Sequence, residues 1–450
     1  MPLTKPPVLP PWAETAPDNV QPTNPELQAG WPLSALPPTR QRWNWILNFL
    51  ANGVRYLTRR GIADWSATEP YEVGDYTRAS NGSTYRCIAN HTNQAPPNAT
   101  YWELWALRQV DVRIESHNPV SLAPNPFFEV DQLANAGASI ADDAYGHDHW
   151  HVLTQTASVQ VSTQTLQENG QTTNARLTQN QVAAQRMGYA CIIAASEAQK
   201  QRGEVLTYRP RIRCSVSQAI RIAVLEWTGT ADAVVSDVVN DWTSADYTDG
   251  AARFFVDANF TPLGSVAVTP SANVWTDMTP LTVTVGNSCN NLVLIVWTEG
   301  TAAQTVTLDL GIQALVRGTY TGRIHIPTFA DTLKYARRFF DKSFNYGTAP
   351  AQNIGLTNGE QRWAANIAGA VANFSPTIML NETMIAIPTI TLYNPAAANA
   401  QVRNVTDSTD HSASSAINIS ERGFVITSTG LAGTALGEQL AAHWVANARL

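Results

Sequence analysis

Between residues 118 and about 318 the chain keeps returning to one pattern, a short apolar or alternating run closed off by Gly, Pro, Asn or Asp. The runs are "ASVQVSTQ", "IRIAVLEW", "VAVTP", "LTVTV", "NLVLIVW" and "QTVTLDLGIQAL". Alternation puts every second side chain on one face of a strand, and the turn residues end each strand before it grows long. Several such strands joined by polar loops imply an antiparallel sandwich or jelly roll over 118–318. "FADTLKYARRFFDKSF", Phe329 to Phe344, reads as a helix with Leu333, Ala336 and Phe340 on one face. "PTIMLN", "MIAIPTITLYN" and "GFVITST" then read as strands of a second sandwich over 328–450.

The first 38 residues are built differently. They hold eleven of the 26 prolines, which excludes both helix and central strand and leaves an extended, polyproline-like arm. Trp12 and Trp31 interrupt it, and a plain linker has little use for tryptophan. An arm that becomes ordered on another protein is the preferred reading. From 39 to 62, "TRQRWNWILNFLANGVRYLTRRGI" starts on a threonine cap and reaches a glycine. Trp43, Leu47, Leu50, Val54 and Leu57 recur every three or four residues and make one apolar stripe. The stripe either packs on its own domain or forms the seam of a short homo-oligomeric coiled coil.

Composition narrows the function class. A net charge of −7 argues against a nucleic-acid platform. No apolar run is long enough to cross a bilayer, and prolines break the opening "MPLTKPPVLPPWAE", so no secretory leader is read there. Cys87, Cys191, Cys214 and Cys289 show no CxxC spacing. They read as buried free thiols, with a Cys191–Cys214 bridge as the alternative. No cofactor is expected.

Residues 63–107 are dense in aromatics around "YEVGDYTRASNGSTYRC". The order Trp65, Tyr71, Gly74-Asp75, Asn81-Gly82, Tyr85, Pro96-Pro97 and Trp102 resembles the small chitin- and cellulose-binding modules of the type 5/12 family. That resemblance implies a three-stranded module with a hairpin at Asn81-Gly82. It also makes Trp65, Tyr71, Tyr85 and Trp102 candidates for stacking on a sugar. The competing reading is that so small a unit needs these rings for its core.

"SLAPNPFFEV" (121–130) resembles the opening strand of jelly-roll carbohydrate-binding domains, and Tyr145, Asp148 and Trp150 resemble their Y-x-x-D-x-W segment. "LDLGIQALVRG" (308–318) is similar to their closing strand, although Leu315-Val316 replaces the usual leucine-glutamate. In phage tail fibres that strand leads into an E-L-x-x-C-Q-R-Y-Y helix, which Leu333, Arg338, Phe339 and Phe340 resemble here. Met384, Pro388 and Thr389 follow the next motif without its arginine, and "HWVANARL" resembles the family's ending. The N-terminal "KPPVLPPWAE" and "PPTRQRWNW" are similar to podovirus-type tail proteins. The resemblance implies a mainly β tail fibre or adhesin, trimeric, docked on the virion through its arm and binding a host-surface glycan. It would assemble in the host cytoplasm and reside in the virion tail.

Two further features carry possible chemistry. In "HDHWH", His147, His149 and His151 share one face if the segment is a strand, and could then hold a metal; the bland alternative is packing around Trp150. In "DWTSADYTDG" (241–250), Trp242 and Tyr247 either meet a ligand or fold back over the sandwich edge. The scattered acids Asp142, Asp143, Asp148, Asp241, Asp246 and Asp249 sit in Ser/Thr/Asp turns, and no hydrolase or nucleotide-binding motif occurs, so no enzyme is expected. The alternatives kept are a purely structural tail component and a glycan-degrading tailspike.

Overall fold

The computed structural model describes residues 40–106, 119–168, 171–248, 253–256, 259–319, 322–355 and 358–450, with backbone only for 55–60, 106 and 166–168. The chain divides into two units, 1–117 and 118–450, which are taken in turn. The arm with Trp12 and Trp31 lies outside the described residues.

The helix Arg40–Arg60 stops before Gly61, whose φ of 74° is the left-handed conformation that commonly ends a helix. Its stripe stays in the open: Trp43, Leu47, Leu50 and Val54 are all exposed. Leu57 lies on the helix, and its side chain is outside the described residues. The strands Tyr76–Arg78, Thr84–Cys87 and Trp102–Ala106 form an antiparallel three-stranded sheet. Gly82, with φ 84°, makes the hairpin turn at Asn81-Gly82.

In the second unit, two antiparallel sheets face each other. Phe260–Val268, Ile220–Trp227, Asn291–Thr298, Met187–Ile193 and Trp150–Thr154 make the five-stranded one, in that order. The seven-stranded one runs Thr276–Asp277, Val205–Cys214, Thr307–Arg317, Gln171–Thr178, Val159–Glu168 and Ala138–Ile140, with Leu281–Thr284 also paired to Val205–Cys214. Trp150, Tyr189, Ile222 and Leu294 from one sheet meet Val161, Leu177, Tyr208 and Leu310 from the other in a dry core. All four cysteines are buried and free, so the Cys191–Cys214 bridge does not form.

The outer faces of the two sheets differ. "NLVLIVWT" is buried at every position, because the described residues 228–248 and 253–256 roof the five-stranded sheet and pack Val238, Val239, Phe254 and Phe255 onto Ile295 and Trp297. A strand covered on both sides reads as a continuous apolar run. Val205–Cys214 instead alternates: Leu206, Tyr208, Ile212 and Cys214 enter the core, and Arg209, Arg211 and Arg213 point away from it.

Two expectations are corrected here. Residues 121–130 form turns rather than a strand, with Asn125 and Phe128 at positive φ (45° and 55°) and Phe128 fully buried beside Trp150. The helix predicted to reach Phe344 is Phe329–Arg337, capped by the Thr328 side chain accepting from the Asp331 amide. Phe340–Lys342 is a strand because its backbone pairs with Gln439–Asn447. That long strand also pairs with Gln361–Ala364, Thr389–Tyr393 and Arg403–Asn404, and it faces a smaller sheet centred on Gly423–Thr429 across Leu440, Trp444, Phe424 and Ile426.

Candidate functional site

The four aromatics singled out in the small module serve its interior. Trp102 and Tyr85 are buried at 3% and 7% exposure, and half-buried Trp65 and Tyr71 pack against them. Trp102 donates its indole N–H to the Gln94 carbonyl at 2.7 Å, and the Tyr71 hydroxyl accepts the Ser66 amide at 2.9 Å. A unit of this size without a disulfide has little else to bury. Tyr85 and Trp102 are therefore corrected from sugar-stacking candidates to core residues.

Two rings the sequence reading passed over are the exposed ones. Tyr76 and Trp105 are 40% and 57% exposed, and their rings meet edge to face at 5.1 Å. The register explains their meeting. Tyr76 lies opposite Arg86 and Arg86 opposite Glu103, while Trp105 is the extra residue where the pairing shifts between Tyr85–Leu104 and Thr84–Ala106. Arg86 and Glu103 are ion-paired at 3.1 Å. The result is an open sheet face with two large rings beside a charged pair. Local pattern could not have found it, because the pairing shifts register at Trp105 and leaves Leu104 exposed beside it.

Trp242 and Tyr247 fold back. Trp242 meets Phe254 edge to face at 5.7 Å. Tyr247 lies under the Arg221 guanidinium at 4.0 Å, donates to Glu299 at 3.0 Å and packs on Trp297. Both belong to the roof of the five-stranded sheet rather than to a free loop tip. Asp241 and Asp246 accept the amides of Thr243 and Thr248, which holds the loop in tight turns. Asp249 and Gly250 lie outside the described residues.

The three histidines go to three places. The strand begins at Trp150, so His147 and His149 precede it and only His151 belongs to it. His147 is bonded through Nδ1 to the Tyr189 hydroxyl at 2.9 Å and through Nε2 to Thr163 at 3.0 Å. His149, at φ 70°, sits edge-on to Phe339, and His151 contacts the Asp143 carbonyl at 3.0 Å. Burial pushes all three down, to about 3, 3 and 4, so they stay neutral. The single-face arrangement is thus corrected, and no group of three metal-ligating side chains occurs among the described residues.

The seven-stranded sheet carries the second open surface. Asp309, only 1% exposed, accepts Arg176 Nε at 2.6 Å and Arg213 Nε at 2.8 Å. Arg213 in turn lies 4.8 Å from the Trp275 ring. Gly311 makes room for that ring, since a Cβ there would come within 3.1 Å of it. The surface is therefore cationic and aromatic at once.

No protein-family model and no curated protein matches the sequence. Among solved structures the chain is similar to a family 61 carbohydrate-binding module in complex with β-1,4-galactotriose, at 10% identity over 44% of this chain and 99% of that chain, TM-score 0.26. It is similar to the CBM22-1 xylan-binding domain from Paenibacillus barcinonensis Xyn10C, at 10% identity over 42% and 99%, TM-score 0.25. A third is the enzymatically active domain of bacteriophage CBA120 tailspike protein 4, at 9% identity over 42% of this chain and 22% of that chain, TM-score 0.24.

Proposed function

We propose that the protein is a non-catalytic, glycan-binding attachment protein of a tailed phage, assembled as a homotrimer and docked on the virion through its N-terminal arm. The observation that carries glycan binding is the Tyr76–Trp105 face. Two rings that contribute little to their own core are held on a rigid sheet beside the Arg86–Glu103 pair. Sugar rings present apolar C–H faces that lie flat on such aromatics, and their hydroxyls can donate to a carboxylate and accept from a guanidinium. The exposed stripe Trp43–Leu47–Leu50–Val54 supports self-association, because a single chain leaves it wet.

A glycan array probed with the full chain tests the reading. Tyr76→Ala with Trp105→Ala should remove at least about 2 kcal/mol of binding, the scale of two lost stacking contacts. The fold should survive, since both rings are outside the core. Retention of every glycan by this double variant would sink the assignment of that face. Trp65→Phe, which changes a ring packed on the module core, should have little effect on binding.

A further inference from the structure

The open face of the larger sandwich contains a groove of about 1050 Å³ that no motif announced. Its floor includes Arg209 and Arg211 with Ile312, and the segment after the closing strand forms a wall with Arg323 and Ile324. Arg209 donates through Nη1 to the Gly322 carbonyl at 2.7 Å, which ties wall to floor. Among the described residues neither Arg209 nor Arg323 has a carboxylate within ion-pair distance. Asp277, 3.8 Å from Arg211, is the one acid in the described lining. Gln171 completes it: the residue is 4% exposed and its Nε2 has no hydrogen-bond partner.

Two arginines, Arg209 and Arg323, with no carboxylate partner among the described residues stand out in a chain of net charge −7. A buried amide N–H without a partner costs free energy that a ligand oxygen would recover. Guanidinium groups bind carboxylates with directional, charge-assisted bonds. Isoleucine side chains suit the C–H face of a sugar ring, not a small inorganic anion. The whole chain's negative charge disfavours a long polyanion such as nucleic acid. We propose that this groove binds an acidic saccharide, with a uronate-type carboxylate on Arg209 and Arg323, a hydroxyl on Gln171 and the ring against Ile312 and Ile324. The site lies in the second unit and stands apart from the Tyr76–Trp105 reading, which it goes beyond.

The test is calorimetric titration of the full chain with a panel of short galacturonate, glucuronate and N-acetylneuraminate oligomers, each beside its methyl ester. At least one acid should bind, its neutral ester at least about tenfold more weakly, and added salt should weaken the acid alone. Arg209→Gln with Arg323→Gln should weaken the acid by about tenfold or more while retention on neutral glycans stays at the wild-type level. Arg323 is exposed, so Arg323→Gln alone is safe for folding and should still weaken the acid. Equal binding of acid and ester, wild-type affinity in the double variant, or no binding across the panel each overturns the proposal. Neutral-glycan retention, read in the same preparations, reports separately on the Tyr76–Trp105 face.

Discussion

His147 shows how a single buried residue writes itself into the stability of the whole protein. Its folded pKa is held near 3 by burial against an ordinary value of 6.5. Below pH 6.5 the unfolded chain therefore binds a proton that the folded chain refuses, and stability from this group is lost as pH falls from about 6.5 towards 3. His147→Gln should cost stability at neutral pH. The gap to wild type should then shrink by up to about 1.4 kcal/mol per pH unit below 6.5. Urea unfolding at several pH values checks this, and a constant gap would refute it. Tyr247 is the second informative residue. Since Tyr247 packs on Trp297 and bonds Glu299, Tyr247→Ala should lower the unfolding free energy by about 2 kcal/mol and leave cell adsorption unchanged. Loss of adsorption with an unchanged thermal midpoint would return the ring to the receptor surface.

At the scale of elements, the helix Arg40–Arg60 offers a clean experiment. Leu50 is 56% exposed in the single chain, so an aspartate there does not disturb the chain's own packing. In a trimer the same charge would lie in an apolar seam, which is expensive. Leu50→Asp should turn a trimer into folded monomers by sedimentation or light scattering. A wild-type protein that already sediments as a monomer rules out the trimer. The helix near the start and the hairpin at Asn81-Gly82 were legible because glycine placement and periodicity act within a few residues of one another. The segment Phe340–Phe344 was misread for the opposite reason. Its local pattern continues a helix, and only pairing with Gln439–Asn447, about a hundred residues away, pulls it into a strand.

On the scale of the whole molecule, a buried polar cluster joins the earlier and later sheets of 118–450. Lys342, 7% exposed, donates to the carbonyls of Gln132, Tyr346 and Thr348. Gln132 itself donates to Asp148 and to the Phe340 carbonyl, both at 2.9 Å. Arg449 lies over Tyr145 at 4.2 Å and over Phe340 at 4.3 Å. Lys342→Met would leave three carbonyls without their donor, so it should cost about 2–4 kcal/mol. Calorimetry of wild-type 118–450 should show one cooperative transition. Two well-separated transitions would mean that the cluster does not couple the sheets.

What the sequence determined by itself was everything that depends on neighbours along the chain: a mainly β class, the helix near the start and the turn chemistry. Local preference is enough for these, because a strand's alternation and a turn's glycine are satisfied within one segment. Which side chains remain available for function was decided by tertiary structure. Trp102 and Trp105 are equally aromatic on paper, and only the sheet register sends one inward and the other out. Tyr247 looked like a loop ring until the roof over the five-stranded sheet claimed it. The cationic groove around Arg209 exists because the fold brings the segment 322–326 beside the strand Val205–Cys214, far from it in sequence. Burial is a property of what arrives from far away in sequence, and no local pattern encodes that arrival.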